Sequence, residues 1–294
     1  MYPYEADRTK AKIVMSTLYI KITEECNMHC PFCYIKQKPG VISLETITSF
    51  IEKHVRDMIR TVIFHGGEPL LYPDRILETI NKYPEKEYYI TSNLTLPLTK
   101  ERLEVLHKCD VATSYSVDRF RNAKDFLQFI DNLYIVSDFT DITILVTLTR
   151  EQLEESPERL VTMLQRLPHK YVLLERLYEE QYDKELAERT DLYMRRMMQL
   201  LPEKENALLL NMQYAIDNHV NVFSRFCHKL VFTLNPDGSI SNCPNLCNKM
   251  TRNQKRRECI ECNLYEYCQG DCLSFQDGCM FPKKTFEWIR DRSK

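Results

Sequence analysis

Glycine is scarce in this chain, with six in 294 residues. No internal repeat and no low-complexity tract is present, which excludes fibrous and linker-like classes. Apolar runs are short, and none approaches the roughly 20 residues that a membrane-spanning helix needs. The opening stretch MYPYEADRTKAKIV is too polar and too charged for a secretion signal. A charge excess is also missing: 40 Lys and Arg face 42 Asp and Glu, a formal net charge of −2. Nothing therefore draws the whole molecule toward nucleic acid or an anionic membrane, and neither is expected as a partner. A cytoplasmic chain is expected.

Thiol, by contrast, is plentiful. Twelve cysteines in a reducing compartment read as metal ligands or redox groups rather than disulfides. Cys26, Cys30 and Cys33 lie near the start, Cys109 stands alone, and eight fall between Cys227 and Cys279. The six glycines keep the same company. Gly66 and Gly67 form HGGEP, Gly40 follows the first cysteine set, and Gly238, Gly270 and Gly278 lie among the later cysteines.

From residue 15 to about 180, β-branched and aromatic runs alternate with amphipathic stretches. Strands are expected at TLYIKIT (17–23), TVIFH (61–65), EYYITSN (87–93), VATSYSVD (111–118), DITILVTLT (141–149) and KYVLLER (170–176). Helices are expected over 43–59, 74–83, 99–108, 120–134 and 157–167, the last with Ser156 as N-cap and Pro157 at the first helical position. Six β-then-α units predict an α/β fold, a partial (β/α)6 TIM-like barrel whose chemistry gathers at the carboxyl ends of the strands. CNMHCPFCY, HGGEP and TSN all fall at such ends. The expected organisation is an N-terminal extension over 1–14, the barrel core over 15–182, a helical connection over 183–222 and a small cysteine-rich domain over 223–294. In that last domain KLVFTLNPDGSISNC reads as a β-hairpin turning at Asn235-Pro236-Asp237-Gly238. The rest is poor in core-forming residues and is expected to be stapled by metal.

Three thiolates spaced CxxxCxxC fit three corners of a tetrahedral ion, or three irons of a 4Fe-4S cube. Structural zinc usually takes a fourth protein ligand, and His29, squeezed beside Cys30, is poorly placed to supply it. A cube held by three cysteines leaves one iron open.

CxxxCxΦC with aromatic Φ is filled by Cys26, Cys30, Phe32 and Cys33, and Gly66-Gly67-Glu68-Pro69 follows the second strand. On these two motifs the sequence resembles the radical SAM superfamily. The resemblance implies that Cys26, Cys30 and Cys33 hold a 4Fe-4S cluster whose open iron chelates S-adenosylmethionine. Reductive cleavage of that cofactor to a 5′-deoxyadenosyl radical, followed by hydrogen-atom abstraction, is then implied. It further implies that Gly66, Gly67, Glu68 and Pro69 meet the methionine ammonium and that Phe32 lies near the adenine. Ser92, Asn93, Ser116 and Asp118, at strand ends, are candidates to line the ribose and methionine, with strand capping as their plain alternative. Arg176 is a candidate for the cofactor carboxylate or for a surface ion pair.

The later cysteines run Cys227, Cys243, then Cys259, Cys262, Cys268 and Cys272 as Cx2Cx5Cx3C, then Cys279. This is similar to the SPASM domain, which carries two auxiliary 4Fe-4S clusters. Family precedent implies Cys259, Cys262, Cys268 and Cys279 for the outer cluster, and Cys227, Cys243 and Cys272 for the inner one. The inner fourth position is open between Cys247, His228 and substrate. Read alone, CIECNLYEYCQGDC also fits a zinc ribbon. Cys109 is expected to be a small buried hydrophobe. The basic run 248–258 is either a solvated loop or a receiver for an anionic substrate or redox partner.

The implied activity is a radical oxidoreductase modifying a peptide by oxidation, crosslinking or epimerisation, with flavodoxin or ferredoxin as electron donor. Only about 15 residues precede the first strand, so leader recognition would need a separate protein. The alternative substrate is a small molecule or nucleotide. A non-catalytic cluster or zinc module is the contrasting class, against which the intact GGEP argues.

Overall fold

The computed structural model describes residues 16–55, 59–115, 122–176, 184–217, 231–241, 262, 264 and 283–292. Eight strands form one sheet: β1 (Ser16–Thr23), β2 (Ile59–Gly66), β3 (Glu87–Thr91), β4 (Asp110–Ser114), β5 (Ile142–Leu148), β6 (Tyr171–Arg176), β7 (Val231–Leu234) and β8 (Ile240–Ser241). The order is β6-β5-β4-β3-β2-β1-β7-β8. Every pairing is parallel except the β7–β8 hairpin. The helices are α1 (Leu44–Phe50), α2 (Pro73–Lys82), α3 (Lys100–His107), α4 (Ala123–Ser137), α5 (Arg150–Leu153), α6 (Pro157–Leu164), α7 (Lys184–Leu200), α8 (Ala207–Asp217) and α9 (Lys283–Arg292).

All six expected barrel strands form, and the expected helices form with shifted ends. The segment expected as one helix over 43–59 stops at Phe50, passes into a π-helical turn over Ile51–Val55, and β2 starts at Ile59. The short helix α5 was not expected. Small polar residues set most helix starts, as Ser43, Thr99, Asn122, Thr149 and Ser156 each accept a backbone N–H of the first turn. Pro157 follows Ser156 at the first helical position, as its sequence context predicts.

Strand alternation divides the barrel into two chemistries. Leu18, Ile20, Ile22, Val62, Phe64, Ile90, Ile144, Val146, Val172 and Leu174 belong to the hydrophobic core. The register places the other parity, Lys21 beside His65 and Thr147 beside Glu175, on the opposite face. A closed TIM barrel fills its interior with branched aliphatics. Here the interior face is mixed, with Ile63, Leu145 and Leu173 sharing it with these polar residues.

The hairpin forms where the sequence places it, with Gly238 at φ +80° and its N–H donating to the Asn235 carbonyl at 2.9 Å. Its first strand is not separate from the barrel: β7 pairs in parallel with β1, Thr17 opposite Val231 through Ile20 opposite Leu234. Helix α9 docks on α7 through Asp191. That carboxylate accepts the N–H groups of Lys284 and Thr285 at 3.0 Å each and the Thr285 hydroxyl, whose oxygen also reaches the Asp191 carbonyl. An acidic side chain from one helix thus caps the positive end of another. Among the described residues no helix is long and apolar enough to cross a membrane.

Asp191→Ala leaves those donors unpaired, those of Thr285 in a buried setting, and should cost about 2–4 kcal/mol. Denaturant unfolding should report that loss, and hydrogen exchange at Lys284 and Thr285 should rise more than at β2.

Candidate functional site

The first cysteine loop leaves β1 at Thr23 and is pinned at both ends. The Thr23 hydroxyl donates to the Gly40 carbonyl at 2.6 Å and accepts the Glu25 N–H at 3.0 Å. The Glu25 carboxylate in turn accepts the Gly40 N–H at 2.7 Å. Inside the loop, the Cys33 N–H donates to the Cys30 carbonyl at 3.0 Å and the Gln37 amide donates to the Met28 carbonyl at 2.5 Å. Cys26 and Cys30 are half-buried and Cys33 is exposed. Burial pushes the Cys26 thiol up to about 12; the Met28 N–H opposes the rise, and Glu68, Cys30 and Cys33 add to it. Among the described residues no three His, Cys, Asp or Glu side chains converge around a single ion.

HGGEP lies directly against the root of this loop. The N–H of Gly67 donates to the Thr23 carbonyl and that of Glu68 to the Glu25 carbonyl, both at 2.8 Å. A Cβ on Gly66, whose φ is +134°, would sit 2.2 Å from the Thr23 carbonyl oxygen. One on Gly67 would sit 2.0 Å from that of Glu25. Only glycine allows this approach.

Glu68 is 1% exposed and ties the ends of β2 and β3 together. Its Oε1 accepts the Leu70 N–H at 3.0 Å and the Ser92 hydroxyl at 2.9 Å, and its Oε2 accepts the Asn93 N–H at 2.8 Å. Burial raises its pKa against these donors. A carboxylate offers about four lone-pair sites, so one on Oε2 remains.

Asn93 then reaches the cysteine loop. Its side-chain amide donates to Asn27 Oδ1 at 2.9 Å and approaches Cys26 Sγ at 3.7 Å, while its oxygen accepts the Thr95 N–H at 2.9 Å. Asn27 donates to the Thr95 hydroxyl at 2.8 Å. Between them Leu94 is buried in the left-handed region at φ 53°, and Asn132 of α4 holds its carbonyl at 2.9 Å. A buried leucine in that region is strained, a condition that clusters at functional sites.

Cys26, Cys30, Cys33, Phe32, Gly66–Pro69, Ser92 and Asn93 therefore gather on segments at the carboxyl ends of β1, β2 and β3. Ser116, Asp118, Cys227, His228, Cys243, Cys247, Cys259, Cys268, Cys272 and Cys279, the basic run 248–258 and the Arg176 side chain lie outside the described residues. Cys262 is half-buried and packs against the hydrophobic core. Cys109 is 3% exposed in that core, as expected. Sequence reasoning did not single out Asn27, Thr95 or Asn132. Asn27, inside CNMHC, was the one legible hint.

It also missed a group below the loop. The Tyr34 hydroxyl and His65 Nε2 lie 2.6 Å apart, with the rings stacked at 6.4 Å. Lys21, on the strand beside His65, is 0% exposed. Burial, with Lys21 second, lowers the His65 pKa to about 4.

Residues 20–164 match the family model described as the radical SAM superfamily. The chain is 29% identical over 165 residues to an uncharacterized protein of Archaeoglobus fulgidus, covering 52% of this chain and 40% of that one. It is 32% identical over 123 residues to the 7-carboxy-7-deazaguanine synthase of Methanothermobacter thermautotrophicus, covering 40% of this chain and 46% of the relative. A GTP 3′,8-cyclase of Sulfurimonas denitrificans is 29% identical over 92 residues, covering 28% and 29%. The matches span less than half the length of these relatives. Among solved structures, anSMEcpe with bound AdoMet aligns with a TM-score of 0.70 at 16% identity, covering 94% of this chain and 93% of that one. Streptococcus suis SuiB bound to precursor peptide SuiA aligns at 0.63 and 13%, covering 90% and 75%. At these identities the likeness is one of fold.

Gly67→Ala should cost at least about 3 kcal/mol, because backbone must move. Gly40→Ala, where φ is +130° but nothing lies within 4 Å, should cost about 1–2 kcal/mol from strain alone. Chemical denaturation compares the two. The folded His65 pKa lies below the ordinary 6.5, so its neutral form stabilises the fold fully above pH 6.5. That stabilisation, on the order of 3 kcal/mol, should fade as pH falls from 6.5 toward 4, and His65→Gln should flatten the stability profile in that window.

Proposed function

On the match of residues 20–164 to the radical SAM family model, we propose that Cys26, Cys30 and Cys33 hold a 4Fe-4S cluster that binds S-adenosylmethionine. The observation that carries this is the seating of HGGEP on the root of the cysteine loop, with Asn93 bridging from Glu68 to Cys26 and Asn27. The donor set fits: three thiols on one loop, two half-buried and one exposed, with no fourth cysteine among the described residues of that loop. When bound, the reduced cluster and its cofactor supply a 5′-deoxyadenosyl radical that abstracts a substrate hydrogen atom.

The protein's share is to bind, orient and exclude water. The remaining Oε2 site of Glu68 would take one donor from the methionine ammonium. Its three existing donors keep that carboxylate from turning away. Asn93, clamped by Thr95 and Asn27, would line the cofactor beside Ser92 and Phe32. Burial raises the Cys26 thiol further above its ordinary value, so loading the site must release its proton.

Cys259, Cys262, Cys268 and Cys279 would ligate an outer auxiliary 4Fe-4S cluster, and Cys227, Cys243 and Cys272 an inner one, in a SPASM domain over 223–294. Such clusters would accept the electron that a substrate radical gives up, and flavodoxin or ferredoxin would supply the separate electron that reduces the SAM-binding cluster. A peptide substrate takes support from fold likeness along nine-tenths of the chain to SuiB, whose solved structure holds its precursor peptide. A second reading, a nucleotide-type substrate, is favoured by the sequence relatives, a deazaguanine synthase and a GTP cyclase.

Anaerobically purified protein should carry iron and sulfide for three cubes, and with reductant and S-adenosylmethionine should release 5′-deoxyadenosine. Cys30→Ala should abolish that release. Zinc without sulfide, or cleavage surviving in Cys30→Ala, would overturn the assignment.

A further inference from the structure

The Tyr34–His65 pair takes no part in the function proposed above. His65 is the last side chain of β2 before Gly66-Gly67, half-buried on the interior face beside Lys21. Its ring is held by two others: Tyr34 stacks on it at 6.4 Å and 22°, and Tyr19 of β1 meets it edge-on at 6.1 Å and 85°. The Tyr34 hydroxyl lies 2.6 Å from Nε2, and a neutral imidazole accepts such a donor. Burial, and then Lys21, keep the imidazole in that neutral form. The first half of the thiol loop is already tied down, by Thr23 at its root and by Asn93 at Cys26 and Asn27. Cys33, in the second half, is exposed, and its N–H bonds within the loop to the Cys30 carbonyl. Tyr34 follows it directly, with its Cα about 3.8 Å further along the chain. Its hydroxyl carries that point of the loop across to a strand residue 31 positions away in sequence.

We propose that His65 is a positioning residue for the thiol site: through the Tyr34 hydroxyl it fixes the second half of the loop, and with it the Cys33 thiol, on the end of β2. The role asks for no contact with a reacting atom. A thiol placed before metal arrives has less conformational freedom to lose on binding, and the loaded site then gives its metal up more slowly. The inference rests on the cluster reading above only for calling Cys33 a ligand.

Two measurements on the anaerobically purified full chain test it. Tyr34→Phe and His65→Leu should each raise hydrogen exchange at the Cys33 amide at least fivefold. Each should also speed the loss of iron to excess EDTA at least fivefold, read from the fading visible absorbance. His65→Gln keeps an acceptor for the Tyr34 hydroxyl and should stay within twofold of wild type. The double variant Tyr34→Phe with His65→Leu should be no faster than the faster single, since both remove one contact. Tyr88→Phe deletes a hydroxyl that donates to the Tyr83 carbonyl at 2.6 Å, near the amino end of β3, and should behave as wild type in both measurements. That control separates positioning of the loop from a general loosening of the barrel. Near-UV circular dichroism checks that each variant is folded; if His65→Leu is not, Tyr34→Phe, His65→Gln and Tyr88→Phe decide. Exchange or iron loss within twofold of wild type in Tyr34→Phe overturns the proposal. So do effects that multiply in the double variant, a Gln variant as fast as Tyr34→Phe, or equal acceleration in Tyr88→Phe. Wild type holding no iron and sulfide sinks the cluster reading instead, and hydrogen exchange alone then decides whether His65 fixes the loop.

Discussion

A methyl group on Gly67 would sit 2.0 Å from the Glu25 carbonyl oxygen, and the site depends on its absence. Because two glycines let the β2 turn lie backbone on backbone against the end of β1, Glu68 enters the interior at a fixed place. There it collects donors from its own turn and from the end of β3. Asn93, positioned by that contact, then touches the cysteine loop. Three loops that are far apart in sequence become one surface, and the first contact in that series has no side chain in it.

The sheet supplies the second constraint. Parallel strands are hydrophobic where helices cover them, and the outer parity obeys this from Leu18 to Leu174. Since the side-chain period is two, each strand's other residues are free of that demand and point inward. A partial barrel leaves room there. The interior can therefore be polar without any strand losing its packing.

Much of this was legible in the sequence because it is local. Ser156-Pro157 marks its helix start by cap chemistry, TVIFH and DITILVTLT declare strands by β-branching, and the CxxxCxxC and HGGEP spacings mark the site. What was not legible depends on register and on partners far along the chain. Nothing in VFTL says that it will pair with TLYI, and nothing in NLT says that Leu94 will be left-handed. Nothing in KYVLLER says that Glu175 will face Thr147 across the β5–β6 pairing. The helix expected over 43–59 runs too long because its apolar spacing continues past Phe50, where the α-helix passes into a π-helical turn.

The pairing of β7 with β1 has a consequence for how the chain is made. Synthesis runs from the N-terminus, and domains tend to fold as they emerge. The cysteine loop, its glycine seat and the Glu68 clamp are all encoded before Leu96, whereas β7 comes only at Val231. Until then the edge of β1 that β7 covers lacks that strand, and its amides and carbonyls await a partner. The nascent protein thus has a thiol-bearing loop at the tip of an unsealed strand. For that interval, whatever fills the thiol loop and whatever pairs with the open strand compete for the same stretch of polypeptide.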